Sequence, residues 1–446
     1  MWDRLRSVWY TKDLRNKILL TIALLLLCRV VAHVPVPGIN PSSLASFLSK
    51  NGGGLNQVFG LLDLFSGGSL TSFSIAAMGV YPFITATIVV QLLMPIIPRL
   101  EAMQREGEAG RNRIAQITRY VTVPLALLQA FGQMALLVQL GGVNQSQFNL
   151  FDPTALVPTL ATLVALTAGT IFLVWIGELI TENGIGNGIS LIIFANIVSR
   201  IPQYLGSTLV STSATGGGSG GGSLVSSGLL GALGLALIFV MVIVYQAQRR
   251  VPVQYPTKRR VMQGVRTGAQ TTYIPLMVNS AGMIPLIFAS SILLLPTVLS
   301  SYLAYSSNKG LANFFSGARL WVDPSNWWYW VVYGVLVFLF TYFYATVVWD
   351  QQNLPENLQK QGAFIPGIRP GPPTADYLRR ILGRITFGGA IFLGIVSIAP
   401  AFTGQGASAS QALPVAGLLI VVGVVLDTVN QLQAQMVMRN YSGFLR

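Results

Sequence analysis

Ten stretches of about twenty predominantly apolar residues limit what this 446-residue chain can become; they lie near 18–35, 74–98, 114–140, 154–180, 187–205, 228–247, 274–296, 327–349, 378–399 and 412–434. Each is long enough to cross the hydrocarbon of a bilayer as a helix. Lipid offers no partner for a backbone N–H or C=O, so a spanning segment must satisfy its own. Only 9% of the residues are charged and 52% are hydrophobic, against about 25% charged in soluble domains. The expected fold is therefore an all-α polytopic membrane protein with ten transmembrane helices. Lys17 runs directly into the first apolar stretch, which reads as a retained span rather than a cleaved leader.

Cations set the orientation, because short cytoplasmic loops collect Lys and Arg. With the N-terminus in the cytoplasm, five fall in 1–17, five in 99–119, six in 248–273, five in 350–384 and two in the tail, 435–446. That accounts for 23 of 28 and leaves Arg29, Lys50, Arg200, Lys309 and Arg319 elsewhere. Both termini are thus expected on the cytoplasmic side. Ten spans cut at the middle give five per half, and an odd number obliges the second half to start on the opposite side. The expectation is two inverted, pseudo-symmetric halves, 1–205 and 228–434. An external linker, 206–227, joins them, and its TGGGSGGGS tract at 215–223 suits a flexible connection.

Residues 79–86 and 282–289 share the pattern G-x-x-P-x-I-x-A, with Thr87 answered by Ser290. Alone, either segment reads as helix packing through small residues. In corresponding positions of both halves, Gly/Pro-interrupted helices point to a transport pathway. Ionisable groups at mid-depth, which a coupled transporter needs, are not what the spans contain. Glu178 and Asp427 fall near span ends and read as solvated or paired groups.

One Cys28 and one His33 leave no metal cluster, and HExxH, G-x-S-x-G, P-loop and CxxC motifs are absent. Neither catalysis, a metal nor a cofactor is expected. The external stretch Leu61–Phe73, LLDLFSGGSLTSF, is too short to cross and reads equally as a re-entrant segment, an interfacial helix or a surface loop. Two basic loops, about 248–273 and 350–377, are long and turn-rich. Orientation explains most of their charge, yet projecting loops of this kind also suit an acidic partner such as RNA phosphates or an anionic protein surface.

Taken together, Gly177–Ser190 (GELITENGIGNGIS), Arg29–Gly38, Leu64–Leu70 (LFSGGSL), Gly79–Leu93, Gln248–Tyr255, Asn279–Ser291 and Gly362–Gly371 (GAFIPGIRPG) resemble, in order, the SecY family of protein-conducting channels. The likeness covers nearly the whole chain. It implies an hourglass pore between the inverted halves, constricted by a ring of apolar side chains: Val80, Ile84, Ile189, Ile193, Ile287 and Ile420. It implies that 61–73 is a plug, including Leu61, Leu64, Phe65, Ser66, Gly67 and Gly68. A lateral gate would lie between the second and seventh spans, with Gln91, Asn279, Thr87 and Ser290 as its polar members.

By the same resemblance, Arg249, Arg250, Lys258, Arg259, Arg260 and Arg369 would dock the ribosome, including its rRNA, or the motor ATPase SecA. The small subunits SecE and SecG, signal peptides, nascent chains and membrane lipid would complete the partners, in a bacterial cytoplasmic membrane. An aliphatic constriction fits such a role physically. It dewets and resists ions, yet offers no fixed hydrogen bonds that would favour particular passenger sequences. Two departures stand out: Tyr255-Pro256-Thr257-Lys258 where the family commonly has Tyr-Ala-Lys, and Val80 where the usual residue is Ile. The competing reading of the residues is an inverted-repeat secondary transporter of a small solute.

Overall fold

A computed structural model of the chain describes residues 12–36, 63, 66–139, 153–214, 235–255, 270–279, 281–282, 284–303, 326–352, 354–403 and 413–442. Twelve helices lie among them: α1 Lys12–Val31, α2 Tyr81–Leu93, α3 Pro98–Arg105, α4 Glu108–Gln139, α5 Pro153–Asn183, α6 Gly188–Ala214, α7 Leu235–Gln246, α8 Ile284–Leu303, α9 Trp327–Gln352, α10 Leu354–Lys360, α11 Pro372–Thr403 and α12 Leu413–Ser442. Each of the ten apolar stretches overlaps one main helix, of which α2 and α7 are short, while α3 and α10 are connecting pieces. Three described helices, Leu156–Asn183, Trp327–Lys360 and Pro372–Ile398, are individually long and apolar enough to span, and Tyr81–Leu93 with Pro98–Gln104, bent by 102°, adds a fourth as a broken pair. The outer surface is apolar, with Leu26, Val164, Phe239 and Ile395 all prominently exposed. A surface of that kind is stable only against lipid or partner helices.

Helices α1, α2, α4, α5 and α6 pack among themselves, as do α8 with α9 and α11 with α9 and α12. Two seams join these groups: α8 lies on α2 and α4, and α12 lies on α6. The polypeptide connecting α6 to α7 departs from expectation. Helix α6 continues to Ala214, past the anticipated end at 205. Its described residues end where the Gly-rich tract begins. The tract at 215–223 lies outside the described residues.

The repeated G-x-x-P motif starts a helix in both places rather than interrupting one. Gly79 (φ 57°) and Gly282 (φ 66°) adopt the left-handed conformation, and their helices begin at Tyr81 and Ile284. Pro82 falls in the first turn of α2, where an amide proton has no intrahelical acceptor and proline's fixed φ suits the helix. Residues 75–80 are consequently turns, and α2 is only 13 residues long, about 20 Å.

One stretch expected as loop is a β-hairpin. Strands β1 Gln248–Tyr255 and β2 Gln270–Met277 pair antiparallel, so the apolar run expected from 274 becomes helical only at Ile284. Alternation explains it: Val251 and Val253 are buried while Arg250 and Pro252 face out. Gln254 also exchanges backbone hydrogen bonds of 2.9 and 3.0 Å with Phe364 of the second basic loop. Val251, Val253, Leu276, Leu358, Ile365 and Leu378 share one apolar cluster. The described parts of the two basic loops, the hairpin strands and residues 354–378, are therefore a single packed unit.

Candidate functional site

The six aliphatic residues expected at the constriction come together from four helices. Val80, Ile193, Ile287 and Ile420 are buried in one cluster, and Ile84 and Ile189 pack against it. Helical spacing delivers them: Val80 and Ile84, and Ile189 and Ile193, are each four residues apart and so project from one face. Val80, Ile84, Ile193 and Ile287 line a gap of only about 20 Å³ between α2, α6 and α8, room for about one water molecule. Such a collar is narrow.

Helix α6 extends this site. One turn beyond Ile193 stands Asn196, and one further turn on stands Arg200. Both meet the segment expected to be the plug, of which Asp63 and Ser66 onward are described. Leu61, Leu64 and Phe65 lie outside the described residues. A Cβ at Gly67 would come within 2.7 Å of Arg29 Nη1 and 2.9 Å of the Asn196 Cα, and one at Gly68 within 2.8 Å of the Arg200 guanidinium. Both glycines have positive φ (68° and 94°), so space and backbone conformation alike demand glycine here.

Two cations hold the segment. Arg200 Nη2 pairs with Asp63 Oδ2 and donates a 2.8 Å hydrogen bond to Thr71 Oγ1. Arg29 Nη1 donates to the Gly67 carbonyl at 2.9 Å. The Thr71 amide donates to Asp63 Oδ1 at 3.0 Å, closing the loop on itself. Burial raises the Asp63 pKa, while the Arg200 guanidinium and the bonds from Thr71 pull it down. Ser66 caps the turn by accepting from the Leu70 amide. Leu70 and Phe73 then sink into a second apolar cluster with Ala126 and Ala130 of α4 and Leu163 and Leu166 of α5.

Across the α2–α8 seam, the polar link is one the sequence did not single out. Tyr81 donates its hydroxyl to the Ser291 carbonyl at 2.7 Å. Of the expected gate residues, Thr87 and Ser290 hydrogen-bond back into their own helices, to Phe83 and Ile287, each at 2.8 Å. Asn279 is buried and donates to Gly282 across its own turn at 3.0 Å. The side-chain oxygens of Gln91 and Asn279 are buried without a protein partner. Desolvated oxygens without donors favour a state in which they regain one.

Arg249 and Arg250 are exposed on β1, and Arg369 is exposed in the turn before α11, its carbonyl held by the Thr374 hydroxyl at 2.8 Å. Lys258, Arg259 and Arg260 lie outside the described residues. Glu178, at the end of α5, pairs with Arg119 of α4 at 2.5 Å, the paired state expected of a span-end carboxylate. Among the described residues, no group of three or more His, Cys, Asp or Glu side chains is placed to hold a metal ion.

The family model described as SecY matches residues 74–429. Protein translocase subunit SecY of Streptomyces galbus is 40% identical over 447 residues, covering 98% of both chains. The corresponding protein of Mycobacterium tuberculosis (strain ATCC 25618 / H37Rv) is 41% identical over 444 residues, again covering 98% of each. The fold resembles a solved protein-conducting channel, with a TM-score of 0.61 at 17% identity over 94% of this chain and 92% of that one. A structure concerned with the plug domain of SecY and its part in stabilising the closed channel aligns equally well, with the same TM-score, identity and coverage.

Proposed function

This chain belongs to the SecY family, and from that premise we propose that it is a protein-conducting channel that passes unfolded polypeptides across the membrane and releases apolar segments sideways into lipid. The observation that carries this reading is the aliphatic collar, about one helical turn along α6 from a segment held by Arg29 and Arg200. A moving chain presents every kind of side chain in turn. Aliphatic walls can close around each without binding any, and when empty they exclude water and ions. The plug, about 61–73, adds a second barrier on the external side. Shared descent from translocase subunits favours this function over a small-solute transporter.

Parting the α2–α8 seam would open both a lateral exit and the collar, because Ile84 and Ile287 sit on the two helices that separate. An apolar signal helix lodged there would stabilise the open state by its preference for that state alone. Charge distribution supports placing both termini and the basic unit in the cytoplasm. Arg249, Arg250, Lys258, Arg259, Arg260 and Arg369 then face the motor SecA or the ribosome, with SecE and SecG as membrane partners. Residues 1–205 and 228–434 are the two halves, and the α6–α12 seam is the hinge side.

The test is site-specific photo-crosslinking. Probes at Ile84 or Ile287 are expected to capture a stalled, translocating chain, and probes on the lipid-facing Val164 are not. A ring that gives no adduct at any position while export proceeds would overturn the reading.

A further inference from the structure

A groove of about 360 Å³ opens between α9 and α11 at the end that carries the basic unit, and no collar residue lines it. Its volume falls in the range of small-ligand sites, roughly 300–1,000 Å³. The helices run antiparallel, so Trp349 near the end of α9 lies level with Arg379 near the start of α11. Seven residues further in, about 10 Å along each axis, Tyr342 faces Thr386. Thr346 and Gly383 lie between.

Three features make this more than a gap between helices. The first is charge: Arg379 lines the groove mouth, and the exposed Arg380 and Arg384 on the same helix add to its positive field. The second is a buried donor. Thr386 is 2% exposed and its hydroxyl has no protein partner, although Thr341 on α9 satisfies itself on the Val337 carbonyl at 2.6 Å. The third is an apolar track leading away from the groove. Tyr342, Leu339 and Val335 on α9, and Phe387, Ile391 and Ile395 on α11, are all substantially exposed. Their three- and four-residue spacings put each set on one face, continuing from Tyr342 and Gly383 respectively.

We propose that this groove binds one anionic phospholipid. Its phosphate lies at Arg379 and its glycerol ester oxygens accept from the Thr386 and Tyr342 hydroxyls. Its acyl chains follow the Leu339 and Ile391 track. Trp349 and Tyr342 supply the amphipathic rings that settle at headgroup level. A free phosphate would use the cation and leave the hydroxyls and the apolar track without purpose. The anionic leaflet is the cytoplasmic one, on the side where the basic unit is placed.

Gly383 makes a clean probe, because a Cβ there would meet only the Tyr342 hydroxyl, at an ordinary 3.6 Å. Gly383→Leu should therefore fill the groove without unfolding the helix pair. The experiment is native mass spectrometry of the full chain after reconstitution in vesicles of phosphatidylglycerol and phosphatidylcholine, with the melting temperature of each variant measured alongside. The wild-type chain is expected to retain one more phosphatidylglycerol than Gly383→Leu. Arg379→Gln should retain it about fivefold more weakly, the worth of one cation near a lipid surface. Equal phosphatidylglycerol retention by all three folded proteins would overturn the proposal, as would equal retention of phosphatidylcholine. Displacement of the lipid by inorganic phosphate alone would make this a free-anion site and also refute it.

Discussion

At Asp63, burial and charge attraction pull in opposite directions. Burial raises its pKa despite the adjacent guanidinium, which means that desolvation outweighs the pull of Arg200. Pairs of this kind add little net stability but fix position, because losing one partner strands a buried charge at a cost of about 3–5 kcal/mol. Asp63→Asn and Arg200→Met should each loosen the plug and raise ion leak through purified protein in planar bilayers. The double variant Asp63→Leu/Arg200→Met, with no charge left to strand, should leak less than either single one. Additive leak in the double variant would show that the pair does not act as a latch. Tyr81 offers a second test at this scale. Tyr81→Phe deletes the hydroxyl that crosses the α2–α8 seam, a bond worth about 1 kcal/mol. That should shift the closed–open balance about fivefold toward open and allow export of a reporter whose signal sequence has a shortened apolar core. Unchanged dependence on signal length would exclude Tyr81 from the gate.

Among the elements, the two Gly-x-x-Pro helix starts make the sharpest case for backbone chemistry. Gly79 and Gly282 sit at φ values that cost an L-residue about 1–2 kcal/mol, whereas Pro82 in the first turn gives up no hydrogen bond. Gly79→Ala and Gly282→Ala should lower the melting temperature of the detergent-solubilised protein, and Pro82→Ala should change it little. The reverse order would mean that the proline sets the helix start. This motif also marks how far the sequence could be read. The repeat, its placement in opposite halves and its link to the α2–α8 seam were visible as a pattern. That it starts helices was not, because spans were drawn from hydropathy, and hydropathy is blind to a turn made of Ala, Met and Gly. The hairpin escaped for a related reason: its alternation covers only eight residues per strand and carries Pro252 and Pro275, which argue against a strand except at a sheet edge. Arg29 and Arg200 were legible as cations that the orientation rule left over, but their carboxylate and carbonyl partners were not. The Ser291 carbonyl, 210 residues from Tyr81, leaves no trace in side-chain chemistry.

At the scale of the whole molecule, two seams join the helix groups, and only one can act as the exit if the other is to hinge. The collar draws Ile84 from α2 and Val80 from the turn that caps it, Ile189 and Ile193 from α6, Ile287 from α8 and Ile420 from α12. Opening the α2–α8 seam would therefore widen the constriction and uncover lipid in one motion, with α6–α12 remaining closed. Ile84 and Ser290 line the gap at the opening seam, and the single native thiol, Cys28, is buried. Cysteines introduced at 84 and 290 would therefore be the pair that reacts. Bridged by a short bis-maleimide, the protein should neither seat a signal helix at the seam nor export its substrate; a bridge long enough to span an open seam should restore export. A control bridge between α6 and α12 should leave export intact at either length, since those helices need not part. Export through the short α2–α8 bridge would mean that the collar opens without its seam. Translocation and sideways release would then be separate motions in this fold.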